Sequence, residues 1–199
     1  MSAVKKLNLI SVEDYLAGEL ESPVKHEYLG GVVYAMAGAR NLHNIVATNL
    51  LVAVGSRLRS RRCQPFNSDT KVRIRLPNQI RFYYPDVSVV CESNQPQDSF
   101  QDQPVAIFEV LSRSTRRIDE GEKKDAYLTI PSLCVYGLAE QDSPILVVFR
   151  RTPEGFVREV YQGLAAVLPL PELDTELPLS EIYDRVQFSP EPEPEELSR

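Results

Sequence analysis

Tyr83-Tyr84-Pro85-Asp86-Val87-Ser88-Val89-Val90 is followed, after a polar stretch, by Pro104-Val105-Ala106-Ile107-Phe108-Glu109-Val110-Leu111. Both runs are short, mostly apolar and rich in β-branched residues, the pattern of strands covered on both faces. Each carries one carboxylate. Alternation puts Asp86, Ser88 and Val90 on one face of the first strand, and Ile107, Glu109 and Leu111 on one face of the second. If the strands are neighbours, the two carboxylates converge. A bare charge in such a run costs several kcal/mol to bury, so Glu109 must face a partner, a metal ion or a solvent cleft. Two oxygen ligands with open positions suit Mg²⁺ or Mn²⁺, which favour carboxylate and water.

Working towards the N-terminus, Leu42, Ile45, Val46, Leu50, Ala53, Val54 and Leu58 recur at helical spacing behind Asn41 as N-cap, which predicts the longest amphipathic helix. Before it, Gly30-Gly31 splits two β-like runs and predicts a hairpin. Ser11 with Asp14 three residues on predicts a capped helix over 12–20. Val72, Ile74 and Leu76 alternate with Lys71, Arg73 and Arg75, a half-exposed strand with a basic outer face. Towards the C-terminus the expectation is a helix over 116–130 and strands over 133–139, 145–151 and 155–161, the last two joined at Thr152-Pro153-Glu154-Gly155. This order predicts an α/β (α+β) fold: a mixed central sheet flanked by helices, preceded by an N-terminal helix and hairpin.

The 199 residues suffice for one core, so residues 1–188 are expected to form a single domain, with 189–199 a disordered acidic Pro/Glu tail. Cys63, Cys91 and Cys134 contain no CxxC pair and have only His26 and His43 to join them, so neither a disulfide framework nor a zinc site is expected. That reading implies a reducing, cytoplasmic setting. No stretch approaches the roughly 18 apolar residues of a membrane span. The formal charge of −6 is segregated: residues 172–199 carry −7, and residues 57–81 carry +7. The basic segment reads either as a phosphate-backbone contact surface or as charge that keeps an edge strand from pairing. Glycine-rich phosphate loops and a GxSxG elbow are both missing, so dinucleotide and nucleoside-triphosphate readings lose their main support and a serine-hydrolase reading fails.

Tyr83-Tyr84-Pro85-Asp86-Val87, then Phe108-Glu109-Val110-Leu111-Ser112, Ser114-Thr115, Asp119, Gly121-Glu122-Lys123 and Tyr127 resemble the Uma-type family of restriction-endonuclease-like proteins over roughly residues 11–185. Glu27-Tyr28-Leu29 before the hairpin and His43 at the start of the long helix match that family's other recurrent positions. The resemblance implies a PD-(D/E)xK nuclease core. In that scheme Asp86 and Glu109 bind Mg²⁺ (or Mn²⁺), a backbone carbonyl near Val110 adds a third ligand, and Glu27 holds a second metal or water. It also implies that Lys123, reaching in from the helix, replaces the motif lysine that would stand two residues after Glu109, where this chain has Leu111. A second departure is Cys134-Val135 before Tyr136, where the family usually shows polar or acidic residues; that pair is given no catalytic role.

Each residue also has an ordinary structural reading. Asp86 could cap a strand, Glu109 could ion-pair, Glu27 could pair with Lys25 or His26, and Lys123 and Lys124 could form a solvated face. His43 could hydrogen-bond a neighbour or shuttle protons, and Tyr127 could be core or a donor to a carboxylate. The leading expectation is a metal-dependent endonuclease acting on DNA, which it contacts through 57–81, with a homodimer supplying two sites for two strands. A nuclease fold kept as a binding module, and an interaction protein using its acidic tail, are the competing readings.

Overall fold

The computed structural model describes residues 9–188; the acidic tail expected over 189–199 lies outside them. Ser11 accepts from the Asp14 N–H at 3.0 Å and donates to its carboxylate at 2.8 Å, so the expected cap opens α1, Val12–Glu21. The hairpin follows as β1 (His26–Leu29) and β2 (Val32–Ala35), turned at Gly30 and Gly31, whose φ of 58° and 102° are open to glycine at no steric cost. α2 spans Asn41–Leu58, but Asn41 is its first residue; Arg40 stands at the cap without a side-chain bond. Burial of Val46, Leu50, Ala53, Val54 and Leu58 anchors this helix instead.

The strands β3 (Gln64–Asn67), β4 (Lys71–Leu76), β5 (Gln79–Tyr83), β6 (Val87–Val90), β7 (Phe100–Gln101) and β8 (Pro104–Leu111) come next. The expected helix over 116–130 is shorter and broken in pitch: α3 (Arg116–Ile118), a π-helical turn (Asp119–Lys123) and α4 (Lys124–Tyr127). The three predicted strands appear as β9 (Val135–Glu140), β10 (Ile145–Thr152) and β11 (Gly155–Gln162). β12 (Val167–Leu170), a 3₁₀ turn (Pro171–Leu173), β13 (Thr175–Pro178) and α5 (Leu179–Ile182) complete the described chain. Among the described residues no helix is long and apolar enough to cross a membrane.

The mixed architecture is divided over two main sheets, ordered β2-β1-β5-β4-β7 and β11-β10-β9-β8-β6-β3, with β12-β13 a separate ladder. β6 and β8 are antiparallel neighbours, β8 and β9 parallel ones. One face of the six-stranded sheet is covered by α2, through Val87, Val89, Phe108 and Val110. Its other face meets α4 and the five-stranded sheet through Ile107, Leu111, Tyr127, Leu138 and Tyr83. On the α2 face Gly137 makes room for Phe108, because a Cβ there would collide with its ring. α1 covers the far side of the five-stranded sheet, where Tyr15, Tyr28, Phe82 and Phe100 cluster.

Contacts between distant segments change how the cysteines and the basic stretch are read. Cys63 and Cys91 form a disulfide, because the β3–β6 ladder pairs Gln64 with Val90 and the cysteines are the next residues out. Only Cys134 is free among the described residues, so cysteine usage no longer supports a reducing compartment. The basic stretch 57–81 also does not make one open patch. Arg57 binds Glu181 through two 2.6 Å hydrogen bonds, Arg62 binds Glu92 at 2.5 Å, and Arg81 lies 2.9 Å from Glu122. Arg61 reaches the Leu173 and Asp174 carbonyls, and Lys71, expected on the outer face of β4, is buried. Glu181 and Asp174 belong to the acidic end, so part of the charge segregated along the chain cancels in space.

Arg73 grips Asp102 with bonds of 2.7 and 2.6 Å. Burial alone would raise the Asp102 carboxyl, but hydrogen bonds from Arg73 and Asn94, with the charges of Arg73 and Arg75, hold it below the ordinary aspartate range. A lowered acid stabilises the fold above its unfolded pKa and loses that contribution as pH falls through the folded one. Asp102→Asn is therefore expected to cost about 1.5–3 kcal/mol near neutral pH. Urea unfolding should show the difference from the parent shrinking below the ordinary aspartate range; a gap independent of pH would rule out the ion pair as its source.

Candidate active site

The β6–β8 register opposes Val87 to Phe108, which leaves Asp86 and Glu109 side by side at the start of β6. The Asp86 N–H donates to Glu109 Oε2 at 3.1 Å, and the Val110 N–H donates to Asp86 Oδ2 at 2.7 Å. Backbone thus aims both carboxylates. Across the gap, Lys123 Nζ lies 2.8 Å from Glu27 Oε1 and 3.6 Å from both Glu109 Oε1 and Asp119 Oδ1. His43, in the first turn of α2, brings Nε2 to 3.1 Å from Asp86 Oδ2. All five expected side chains, Asp86, Glu109, Lys123, Glu27 and His43, therefore meet at the junction of the two sheets.

The π-helical turn is the device that delivers Lys123. Such turns occur mostly as local insertions and often at functional sites. Here its two ends, Asp119 and Lys123, both face the cluster and are only 3% and 7% exposed. Tyr136 donates to the Asp119 carbonyl at 2.9 Å, which ties the turn to β9. The Lys123 ammonium rests 5.4 Å from the centre of the Tyr83 ring, and Tyr127 donates to Glu109 Oε1 at 3.4 Å. Leu111, at the position two after Glu109, is sealed in the apolar cluster with Tyr127 and Leu138, so a lysine there would be buried away from water.

Asp119 is the residue that the sequence reading did not count as functional. Its signal was available in the spacing of Asp119, Lys123 and Tyr127, one turn apart on one face, but that face could equally have pointed to solvent. Tyr136 had no such signal.

The cluster is graded from rim to interior. The side chains of Glu27, Asp86 and His43 retain 15%, 16% and 13% exposure, whereas Glu109 is buried. Burial pushes the Glu109 carboxyl well above the usual range, Lys123 pulls against this, and Asp119, Asp86 and Glu27 add to it. Burial raises Asp119 as well. Lys123 would lose its proton more easily through burial, but Glu109, Glu27 and Asp119 outweigh that and keep it charged. For His43, burial opposes protonation, and the hydrogen bond and charge of Asp86 overcome it.

Four carboxylates thus share one ammonium and one imidazole, and that excess of negative charge is what a divalent cation would relieve. Among the described residues no three His, Cys, Asp or Glu side chains form a ready-made cage. One or two carboxylates completed by water is, however, the usual way Mg²⁺ is held, and Asp86 with Glu109 supplies that set.

A solved structure, described as a "putative nuclease belonging to DUF820" from Anabaena variabilis ATCC 29413, superposes with a TM-score of 0.67 over 87% of this chain and 97% of that one, at 16% identity. It shares the fold. Two proteins of Synechocystis sp. (strain ATCC 27184 / PCC 6803 / Kazusa), "Uncharacterized protein slr1290" and "Uncharacterized protein sll1609", are 33% and 31% identical. The alignments cover 73% and 71% of this chain and 76% and 80% of theirs. Residues 12–180 match the Uma2 family, described as "Putative restriction endonuclease", and the chain belongs to that family.

Proposed function

We propose that this protein is a divalent-metal-dependent endonuclease that hydrolyses phosphodiester bonds in DNA. The observation that carries the reading is the meeting of Asp86, just before β6, Glu109 of β8 and Lys123 of the π-helical turn; in this reading Lys123 stands in for the motif lysine absent at Leu111. Asp86 and Glu109 would hold Mg²⁺ or Mn²⁺, with the Val110 carbonyl as the expected third oxygen. When bound, the ion supplies Lewis-acid stabilisation of charge on the phosphate.

The chain's own residues do the rest. Lys123, held charged, offers its ammonium to the attacking water and to the oxyanion as negative charge grows. Glu27 positions that ammonium from the rim. His43 Nε2, beside Asp86, can carry a proton between cleft and solvent. Tyr127, its phenol kept protonated first by burial, donates to Glu109 and fixes its orientation.

DNA would reach the cluster across whatever basic surface is left unpaired. Arg75 is the most exposed of the β4 cations, 61% at its side chain and 3.9 Å from the shared Asp102. Because most of the 57–81 charge is engaged internally, phosphate contacts should be few and the salt dependence of binding shallow. A cytoplasmic location and a homodimer belong to this reading as its natural setting, the dimer supplying one site per strand.

The test is to incubate the full chain with supercoiled plasmid and single-stranded DNA, with Mg²⁺, Mn²⁺ or chelator. Metal-dependent nicking or cleavage is expected. DNA binding without cleavage under any metal would favour the non-catalytic module, and the absence of both would remove DNA from the reading.

A further inference from the structure

A hollow of about 390 Å³ lies on the α1 side of the five-stranded sheet, bordered by Glu19, Lys25, Asp69, Lys71, Tyr84 and Ser99 among others. It is separate from the catalytic cluster. Tyr84 lines the hollow, while its chain neighbour Tyr83 packs beneath Lys123 on the opposite face. His26, which serves Glu19 here, likewise adjoins Glu27 of the cluster.

Lys71 is 4% exposed, and among the described residues its ammonium makes one hydrogen bond, to Tyr84 Oη at 3.2 Å. An ammonium has three N–H donors, so two are unspent. Among the described residues no carboxylate lies within ion-pair distance of it. The nearby acids are already engaged. Glu19 accepts from the His26 N–H and the Tyr84 hydroxyl, both at 2.7 Å, and lies 3.1 Å from His26 Nδ1. Asp69 is held by Lys25 at 2.6 Å. Both lysines flank the Tyr84 ring, at 5.2 and 5.6 Å from its centre.

We propose that this hollow binds a phosphate-class oxyanion, with Lys71 as its buried anchor and Lys25 at its mouth. A buried cation without a counter-ion is costly, and a bound anion removes that cost. Burial pulls the Lys71 ammonium below its usual range, with the charge of Glu19 only partly opposing, and a bound anion would oppose it further. An oxyanion with several acceptor oxygens can take both spare Lys71 donors and the Ser99 hydroxyl, while Lys25, whose own donors go to Asp69 and Ser68, contributes its charge at the mouth.

The probe is inorganic phosphate, titrated into the full-length protein at constant ionic strength against sodium chloride, with thermal unfolding and calorimetry as readouts. A saturable rise in Tm and one calorimetric site are expected, kept in Asp86→Ala and lost in Lys71→Met. Methionine keeps the stem volume and removes an unpaired buried charge, so this variant should fold. Lys25→Met, at the mouth, should raise the half-saturating concentration several-fold and gives a second reading of the same site. No saturable rise, or one unchanged in Lys71→Met, overturns the proposal; loss of the rise in Asp86→Ala assigns the phosphate to the catalytic cluster and overturns it as well. A 5′-phosphorylated oligonucleotide compared with its unphosphorylated twin identifies the source. A preference that Lys71→Met abolishes points to a strand terminus, and equal binding of the pair points to free phosphate.

Discussion

Glu109→Gln is expected to reduce metal-dependent DNA cleavage by roughly 1,000-fold while leaving the fold as stable as before or more so. The activity loss follows from removing one of two carboxylates that would hold the ion. Lewis-acid stabilisation of several kcal/mol disappears with it, at about 1.4 kcal/mol per tenfold in rate. The stability change has the opposite sign. Burial holds the Glu109 carboxyl above its unfolded range, so ionising it costs folding free energy as pH rises through that interval. Glutamine removes the charge and keeps an oxygen for the Asp86 N–H and the Tyr127 hydroxyl. A site kept for chemistry at the expense of stability gives this pair of signs. Cleavage rates with Mg²⁺ and Mn²⁺, alongside urea unfolding near neutral pH, measure both. A variant that loses stability together with activity would mark Glu109 as a structural residue. Asp86→Asn should match the activity loss.

Lys123→Met should lose both. The ammonium is the shared counter-ion of Glu27, Glu109 and Asp119, at 2.8, 3.6 and 3.6 Å. Removing one member of a buried ionic group and leaving the rest costs about 3–5 kcal/mol. The penalty must depend on pH. Without the cation the buried carboxyls hold protons more tightly in the folded state, so stability is retained in acid and lost as pH rises through their raised range. Lys123→Met should therefore be closest to the parent in acid and fall furthest below it once the pH has passed the raised range of those carboxyls, by thermal or urea unfolding. Adding Glu27→Gln should recover part of the stability and none of the cleavage. A loss of activity without the pH-dependent loss of stability would show that Lys123 does not hold the cluster together.

Local rules carried far along this chain. Period-two alternation located β6 and β8 and assigned Asp86 and Glu109 each to one face of its run, and the pairing of the two strands brought those faces together. The Ser11 cap, the Gly30-Gly31 turn and the apolar stripe of α2 each formed where side-chain chemistry within a few residues required. Where the sequence misled, the deciding contact was distant. The Cys63–Cys91 bond spans 28 residues, Arg57 and Glu181 are 124 apart, and Lys71 is buried against the ring of Tyr84.

Lys123 shows the division most clearly. The sequence by itself determined that Asp86 and Glu109 lie on strands able to pair, and that a helical lysine shares a face with Asp119 and Tyr127. It could not decide whether that face meets water or carboxylates. Helical periodicity defines directions around an axis but not what stands opposite, and only the packing of the two sheets, with one π-helical turn to reset the phase, aimed the ammonium at Glu27 and Glu109.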